Sequence, residues 1–498
     1  MKIINKYIIK ILACNVLLCL ICIFASPGCS GNGQSDPAWT VMVYMDADND
    51  LEPYSIFDIM EMSGGLINAT YLNVNINQTL NIIVLFDRHN AYSTFDNDWT
   101  GTRLYRINPG NSGGINATRL SDDIYLNLSD RGDDDELNMG DPATLSGFIS
   151  FCMDRFTAPN YALIIWNHGN GTRDSISMYG LPDSREVCQD DDPGYAGTDY
   201  LYLDEIQQAL DNNFTAGTRL DIIGFDACFM GMAEVAYEFR EHADFMVASM
   251  HTEQAFGWDY EFIFSSMTGS RDDESLSPEE FGKLIVESYE RYIANGLPSE
   301  SGETLSCVRL SSAEAIKTAV DNLGVAISEE TDRQSDIESI RDSSVNFYNN
   351  DYESIFHPFY DLYDLCINIS SDATLSQGLR NSADSVITEL SAAIVMAFGD
   401  SGNGHGYYFG TGEEVNRGLS ITFPRGDLEY NDGSGSKSHY AYQWWYTYED
   451  TALWSGNSDF LYGFIDFCET DNNITVEGWR ELMEFWYDPG NIFTPGSY

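Results

Sequence analysis

Five short runs of apolar, largely β-branched residues constrain the fold of this chain more than any other feature of its sequence. Each run ends in polar or small residues, and the runs are Thr40–Met45, Asn81–Phe86, Tyr161–Trp166, Leu220–Phe225 and Phe245–Ser249. Segments that are apolar on both faces are typical of central strands in a parallel sheet that helices cover on both sides. The runs therefore predict a buried, mostly parallel sheet.

Helical patterns alternate with these strands. Asp141 followed by proline marks the start of a helix over Pro142–Met153, and Leu203–Leu210 and Met230–Phe239 show the same periodicity. The alternation of strand and helix predicts an α/β fold with right-handed crossovers. In such folds, ligands and chemistry collect beyond the carboxyl ends of the strands.

The second half of the chain predicts a mixed helical and aromatic-rich C-terminal part. Helices are expected over Pro278–Asn295, Ser311–Ile327 and Ser382–Phe398, a strand over Gly418–Phe423, and an aromatic stretch over Tyr440–Trp454. We find no internal repeat and no low-complexity block.

Acidic residues outnumber basic ones by 78 to 25, which gives a formal net charge of -53. Nucleic acid is bound by neutralising its phosphates with Lys and Arg, so this balance argues against a nucleic-acid partner. It argues equally against electrostatic docking on anionic lipid. The excess acid either keeps an extracellular surface solvated or supplies oxygen ligands for Ca²⁺.

The first residues predict a targeting segment. Lys2, Lys6 and Lys10 precede an apolar run from Ile8 to Phe24, and a small-residue region then leads to Cys29. We expect a signal peptide over residues 1–28, a linker over 29–38, a main domain over 39–424 and an extension over 425–498. Cys29 after glycine is the expected lipidation site, so we predict an exported protein, membrane-anchored as a surface lipoprotein or otherwise secreted.

Six cysteines follow Cys29, and none shows the CxxC spacing of a zinc site. They are Cys152, Cys188, Cys228, Cys307, Cys366 and Cys468. Export permits disulfides, but one thiol kept free for chemistry would leave at least one other unpaired. The disulfide pairing is therefore left open.

Two neighbouring runs end in residues suited to nucleophilic chemistry. One run leads into His168 and Gly169, and the next leads into Asp226 and Cys228. If the two strands are adjacent, His168 and Cys228 project from the same sheet edge as a base and a nucleophile. The main-chain N–H groups of Gly169 and Cys228 would then form an oxyanion hole.

We also expect Cys228 to lie where a helix begins, with Asp226 as the N-cap, because the helix dipole there favours a thiolate. Each residue alone has an ordinary structural explanation. A cysteine at a strand end is commonly a small buried hydrophobe, and His-Gly is commonly a turn. Together, on successive strand ends of one α/β pattern, the two residues are a far more specific signal.

Several segments resemble the clostripain family of cysteine peptidases, which are relatives of caspases, legumain and gingipain. The segments are Trp39–Glu52, Asn138–Leu145, Tyr161–Gly169, Asp221–Cys228 and Gly418–Pro424. The resemblance implies a caspase-like sheet, a His168–Cys228 dyad and an oxyanion hole of two main-chain amides. It also implies a preference for basic P1 residues, frequent activation by Ca²⁺ and internal cleavage, for which Arg173 and Arg185 are candidates.

The position of Asp226 is unfavourable for a nucleophile at Cys228, because a carboxylate two residues before a thiol raises the thiol pKa by like-charge repulsion. In the family this aspartate receives the basic side chain in the S1 pocket, and helix capping is the structural alternative. A second S1 acid commonly follows the fifth strand in the sequence Glu-x-Gly-Asp-Gly-Trp. This chain places Phe256 at that acid position, so we expect Phe256 in the substrate-binding pocket and a weakened preference for Arg or Lys.

The chemistry implied by the resemblance needs no cofactor, and calcium is expected only as an activator. Asp46, Asp48 and Asp50 begin like an EF-hand loop, but Leu51 occupies the glycine position and Phe57 the position of the bidentate acid, which excludes an EF-hand. Other candidate calcium ligands are the acidic runs Asp133–Glu136 and Asp190–Asp192.

We therefore interpret the chain as an exported cysteine endopeptidase whose partners are peptide or protein substrates. One alternative is a non-catalytic surface lipoprotein that uses the peptidase fold as a binding module. Another is a transpeptidase, because an acyl-enzyme can pass to an amine as well as to water. The natural substrate and the oligomeric state are not determined by the sequence.

Overall fold

The computed structural model describes residues 37–63, 80–96, 98–108, 115–122, 124–128, 135–171, 174–176, 182–191, 197–215, 217–268, 275–294, 303–330, 332–347, 358–399, 410–412, 417–423, 429–431, 437–439, 478, 479, 482 and 486. The predicted signal peptide, Cys29, Arg173, Cys468 and the aromatic stretch over Tyr440–Trp454 lie outside the described residues.

A ten-stranded sheet forms the centre of the fold. Its strands along the chain are β1 (Trp39–Ala47), β2 (Leu80–Arg88), β3 (Gly101–Ile107), β4 (Ala117–Leu120), β5 (Asn160–Trp166), β9 (Leu220–Asp226), β10 (Ala243–Ala248), β11 (Thr304–Arg309), β13 (Ile394–Gly399) and β14 (Gly410–Gly412), in the spatial order β14-β13-β11-β10-β9-β5-β1-β2-β3-β4. Smaller sheets contain β6 (Asp174–Ile176), β7 (Pro182–Asp190) and β8 (Asp199–Tyr202), β12 (Phe359–Asp361) with β15 (Ser420–Thr422), and β16 (Glu429–Asn431) with β17 (Lys437–His439).

The five apolar runs of the sequence are the five parallel strands at the centre of this sheet. β2, β1, β5, β9 and β10 pair in parallel in that order, and every residue of β1 and β2 is buried. Antiparallel strands extend both edges, β3 and β4 on one side and β11, β13 and β14 on the other. The predicted mostly parallel α/β sheet is confirmed.

Helices cover both faces of the sheet. They are α1 (Glu52–Met62), α2 (Pro142–Arg155), α3 (Leu203–Asn213), α4 (Ala233–Glu238), α5 (Tyr260–Thr268), α6 (Pro278–Ala294), α7 (Ala313–Ser328), α8 (Gln334–Ser343), α9 (Leu362–Ser371) and α10 (Gln377–Ala393). Side chains along a strand alternate between faces, so Met42 and Tyr44 join one apolar cluster while Val41, Val43 and Met45 join the other. α1, α5 and α6 pack on the second cluster, and α2, α3, α7, α9 and α10 pack on the first.

Most of the predicted helices begin and end close to the observed bounds. Asp141 caps α2 by accepting a hydrogen bond from the Ala143 N–H at 2.8 Å. The prediction of one helix over Ser382–Phe398 was wrong over its last five residues, because α10 ends at Ala393 and β13 follows directly. The apolar residues after Ala393 pair with β11 in the sheet, and this tertiary pairing overrides the helical periodicity. None of the described helices has the length and apolar character needed to cross a bilayer.

Candidate active site

The register between β5 and β9 brings the two predicted reactive segments together. Trp166 pairs with Asp226 at the carboxyl ends of the strands, and His168 and Cys228 each follow their paired residue by two positions. Gly169 packs directly on the Cys228 main chain, since a Cβ atom at position 169 would lie 2.5 Å from Cys228 O and 3.2 Å from Cys228 N. Only glycine fits here without displacing the Cys228 segment.

Asn167 anchors the main chain beside His168. Its buried side chain donates to Asp46 Oδ2 at 2.7 Å and to the carbonyl of Gln189 at 3.1 Å. Its Oδ1 atom accepts from Asn49 Nδ2 at 3.1 Å and also from the His168 N–H. The residue before His168 is thereby tied to the end of β1 and to β7.

The imidazole of His168 contacts Asp50. Nε2 lies 2.8 Å from Asp50 Oδ1, and the two side chains are 37% and 67% exposed. Asp50 lies between β1 and α1, so the order of β1 and β5 in the sheet places it against His168. The sequence analysis considered Asp50 only as a calcium ligand and missed this contact, because the adjacency of β1 and β5 is a tertiary property.

The Cys228 thiol accepts a hydrogen bond from the main chain of Glu253 and not from His168. Sγ accepts the Glu253 N–H at 3.3 Å, and His168 and Cys228 share no hydrogen bond in the described part of the chain. Burial raises the pKa of the Cys228 thiol to about 11, with the carboxylates of Glu303 and Asp226 adding to the increase and the Glu253 amide opposing it. The thiol therefore rests protonated and requires a base.

The expectation that a helix begins at Cys228 was wrong. α4 begins at Ala233, and Cys228 lies in a turn before it. Phe229 adopts a left-handed φ of 61° and donates its N–H to the carbonyl of His251 at 3.0 Å, and the Gly231 N–H bonds Ser249 O at 2.6 Å. The chain is thus held across to the segment after β10, and Cys228 does not lie in the first turn of a helix.

Cys228 differs from the other described cysteines in exposure. All five of these cysteines are free: Cys228 is half-buried, whereas Cys152, Cys188, Cys307 and Cys366 are buried. Burial raises the pKa of Cys307 to about 12 and raises the pKa of the other three buried thiols as well. The thiol at the sheet edge is therefore the accessible one among those described.

Asp226 is buried at the carboxyl end of β9 and does not cap a helix. It is 5% exposed, and its Oδ2 atom accepts the Tyr260 hydroxyl at 2.7 Å and the Trp258 N–H at 3.3 Å. Gly257 has a φ of +57°, and a Cβ at that position would lie 2.8 Å from Asp226 Oδ2, so glycine permits this close approach. Burial raises the pKa of Asp226 to about 6, while hydrogen bonds from Tyr260, Glu253 and Trp258 oppose the increase.

Two further carboxyl groups lie beside Asp226, and sequence reasoning assigned neither of them a role. Glu253 Oε2 accepts Trp258 Nε1–H at 3.1 Å, and Asp58 Oδ2 accepts Trp166 Nε1–H at 2.6 Å. Their second oxygens, Glu253 Oε1 and Asp58 Oδ1, are buried without a hydrogen-bond donor. The sequence indicated Glu253 only as the first residue of the segment that corresponds to Glu-x-Gly-Asp-Gly-Trp in the family.

Phe256 packs against helix α1. Its ring meets Tyr54 and Phe57 edge-on, at centroid distances of 5.1 Å and 5.6 Å. The aromatic contacts hold the segment that contains Glu253 and Gly257 against the first helix after β1. Nearby His251 has a structural contact: its imidazole is buried, and Nε2 lies 2.6 Å from the carbonyl oxygen of Phe347.

Several of the candidate calcium ligands belong to the described residues. Among them, no group of three or more His, Cys, Asp or Glu side chains is arranged to hold a metal ion. Asp46, Asp48, Asp87 and Asp190 are all buried near one another, but Asp46 bonds Asn167 and Asp190 accepts the Met139 N–H at 2.7 Å. Residues 133, 134 and 192 of the acidic runs lie outside the described part, and calcium activation stays a prediction.

Comparisons with known proteins identify the class of molecule to which this fold and site belong. The clostripain family model matches residues 43–460. Clostripain from Hathewaya histolytica is 32% identical over 506 residues, which cover 93% of this chain and 90% of that protein. The protein is therefore a cysteine endopeptidase. Within that class, the chain belongs to the clostripain family.

Solved structures show the same fold. A secreted C11 cysteine protease from Bacteroides thetaiotaomicron in complex with an irreversible peptide inhibitor aligns with a TM-score of 0.53 and 18% identity, covering 80% of this chain and 95% of that one. An inactive zymogen C11 protease from Parabacteroides distasonis aligns with the same TM-score and identity, covering 78% and 93%.

Proposed function

We propose that this protein is an exported cysteine endopeptidase in which Cys228 is the nucleophile and His168 the general base and acid. His168 takes the thiol proton as Sγ attacks the carbonyl carbon of the scissile peptide bond. The C–N bond then breaks, and the leaving amine takes the proton from the imidazolium. Water, deprotonated by His168, hydrolyses the thioester and restores the thiol.

The observation that carries this proposal is the pairing of Trp166 with Asp226, which sets His168 and Cys228 at one sheet edge. The contact of Gly169 with the Cys228 main chain brings two amide-bearing segments together. Two N–H groups aimed at one point stabilise the oxyanion of a tetrahedral intermediate. The protonated resting thiol fits a mechanism in which proton transfer accompanies attack, with reacting groups that draw together only when substrate binds.

We assign the S1 pocket to the space above Asp226, which would receive a basic P1 side chain. The support is a buried carboxylate within two residues of the nucleophile, where chemistry alone would disfavour a negative charge. Phe256 stands in the same segment and offers an apolar wall to the stem of an Arg or Lys side chain.

Export is part of the proposal, with residues 1–28 as the signal peptide and Cys29 as the lipidation site. The support is the charged and apolar pattern of the first residues. The structurally similar protein from Bacteroides thetaiotaomicron is described as secreted. Metabolic labelling with a fatty-acid analogue of wild type and Cys29→Ser would test the anchor, and labelling of both proteins alike would refute it.

The proposed dyad is tested by reaction with a peptide carrying a thiol-directed warhead, followed by mapping of the labelled residue. We expect label on Cys228, and we expect Cys228→Ala and His168→Ala each to lose at least 99% of peptidase activity, given the contribution of about 10²–10⁴ from a general base. Circular dichroism should show both variants folded. Half or more of the activity remaining in either variant would refute the dyad. Absence of both labelling and peptidase activity in wild type would favour the binding-module alternative.

A further inference from the structure

We propose that Glu253 determines P1 specificity by forming, with Asp226, the pair of carboxyl groups that binds a guanidinium or ammonium side chain. The inference rests on the proposed peptidase function and deepens it. It assigns the second acid of the pocket to position 253, whereas sequence reasoning looked for that acid at position 256 and found Phe256 there.

Glu253 touches both the nucleophile and the S1 acid. Its main-chain N–H donates to Cys228 Sγ at 3.3 Å. Its carboxyl group lies beside that of Asp226, whose negative charge raises the pKa of Glu253. Glu253 therefore connects the Cys228 thiol with the Asp226 carboxyl group at the bottom of the pocket.

The carboxyl groups of Asp226, Glu253 and Asp58 have no matching cation among the described residues. The donors to Asp226, Glu253 and Asp58 are all neutral: the Tyr260 hydroxyl, the Trp258 N–H and the indole N–H groups of Trp166 and Trp258. Among the described residues, no Arg or Lys forms an ion pair with any of the three acids. Buried carboxylates ordinarily pair with a cation or neutralise by taking a proton.

The pKa values of the buried acids agree with the lack of a cation beside them among the described residues. Burial raises the pKa of Glu253 well above its ordinary range, and the neighbouring carboxylates of Asp226 and Glu303 raise it further. Burial likewise raises the pKa of Asp58, with Asp226 and Glu61 adding to it. The raised pKa values of Glu253 and Asp58 favour their protonated forms, and a cation beside them would favour the charged forms, so binding of a cation should release protons.

The unused acceptors point to the kind of ligand. Glu253 Oε1 and Asp58 Oδ1 are buried with no donor, and Asp58 is only 1% exposed. Unsatisfied buried oxygens are costly, so such groups usually have a partner in the functional state. A guanidinium presents five N–H donors in a planar fork and suits two carboxylates better than one. The ligand class is therefore a substrate with Arg, and less tightly Lys, at P1.

The kinetic experiment compares matched peptides that have arginine or its neutral isostere citrulline at P1. We expect Glu253→Gln to lower the ratio of kcat/KM for arginine over citrulline by roughly tenfold or more, the effect of one charge-assisted hydrogen bond. The matched control is Glu205→Gln, which removes a half-buried carboxyl group in α3 whose partner is the Tyr202 N–H. The control should keep the wild-type ratio. An unchanged ratio in Glu253→Gln would overturn the proposal.

A binding experiment separates this inference from the dyad assignment. Agmatine carries a guanidinium but no peptide bond, so its binding to the full chain by calorimetry does not require catalysis. We expect wild type to bind agmatine with release of protons into the buffer, and Glu253→Gln to bind at least about tenfold more weakly. Such a result supports Glu253 even if the dyad variants stay active. No agmatine binding by wild type, or equal binding by both proteins, would overturn the role of Glu253 while leaving the dyad untouched.

Discussion

Nε2 of His168 lies 2.8 Å from Oδ1 of Asp50, so the loop after β1 orients the imidazole proposed as the base. A carboxylate can only accept a hydrogen bond, so Nε2 carries a proton in this contact. In catalytic triads an acid likewise orients the histidine, there through Nδ1. Both side chains are substantially exposed, which limits the strength of the contact.

We expect Asp50→Asn to lower kcat/KM by up to about fivefold, because an exposed ion pair contributes at most about 1 kcal/mol and an amide no longer selects one tautomer. The matched control is Asp211→Asn, since Asp211 Oδ1 lies 3.2 Å from Nε2 of His242 in a similar exposed pair. Steady-state kinetics on one peptide would measure both. Higher activity in Asp50→Asn would mean that Asp50 holds His168 away from Cys228.

Gly169→Ala should reduce kcat by about 10²-fold or more, the effect of losing one oxyanion donor. The new Cβ would clash with the Cys228 carbonyl at 2.5 Å and displace the segment that contributes the second amide. Gly378→Ala is the control, because a Cβ there meets only the Ser376 Oγ at 3.7 Å. Rates within twofold of wild type for Gly169→Ala would place the oxyanion site elsewhere.

Phe256→Asp should lower the free energy of unfolding by about 1–3 kcal/mol, because two edge-to-face contacts with Tyr54 and Phe57 are lost. Because Glu253 already supplies a second carboxyl group, we expect the arginine-over-leucine preference to rise by no more than about fivefold, the effect of one exposed charge pair. Urea unfolding and kcat/KM for matched peptides test the two expectations. A larger gain in selectivity would assign the second acid to position 256.

The buried carboxyl group of Glu61 should make the free energy of unfolding depend on pH. Burial raises its pKa to about 8, and the carboxylate of Asp259 adds to the increase. The folded state thus holds a proton that the unfolded state, with a pKa of about 4.3, has released. This contribution is complete below about pH 4 and is lost as the pH rises to about 8, with a slope of at most about 1.4 kcal/mol per pH unit.

Glu61→Gln removes this titration, so its free energy of unfolding should fall less steeply between pH 5.5 and 7.5, a window of about two units inside the range just derived. Urea unfolding at several pH values measures both slopes. Parallel curves for wild type and variant would contradict the raised pKa of Glu61.

The central strands could be predicted because they are apolar on both faces, a pattern that few other structures tolerate. His168 and Cys228 could be selected because they follow two such strands. The antiparallel strands β11 and β13 were missed, since their short apolar sequences also suit helix ends or loops. Their pairing is decided by contacts between residues nearly ninety positions apart, such as Cys307 with Met396.

The sequence by itself determined the central parallel strands of the sheet, the residues at their carboxyl ends and the family to which the chain belongs. Only the tertiary structure decided which groups surround those residues. Asp50 reaches His168 because β1 lies beside β5, and Glu253 reaches both Cys228 and Asp226 because β10 lies beside β9. The periodicity of apolar residues is local and can be read along the chain. The partner of a polar side chain depends on strand order, which local periodicity does not encode.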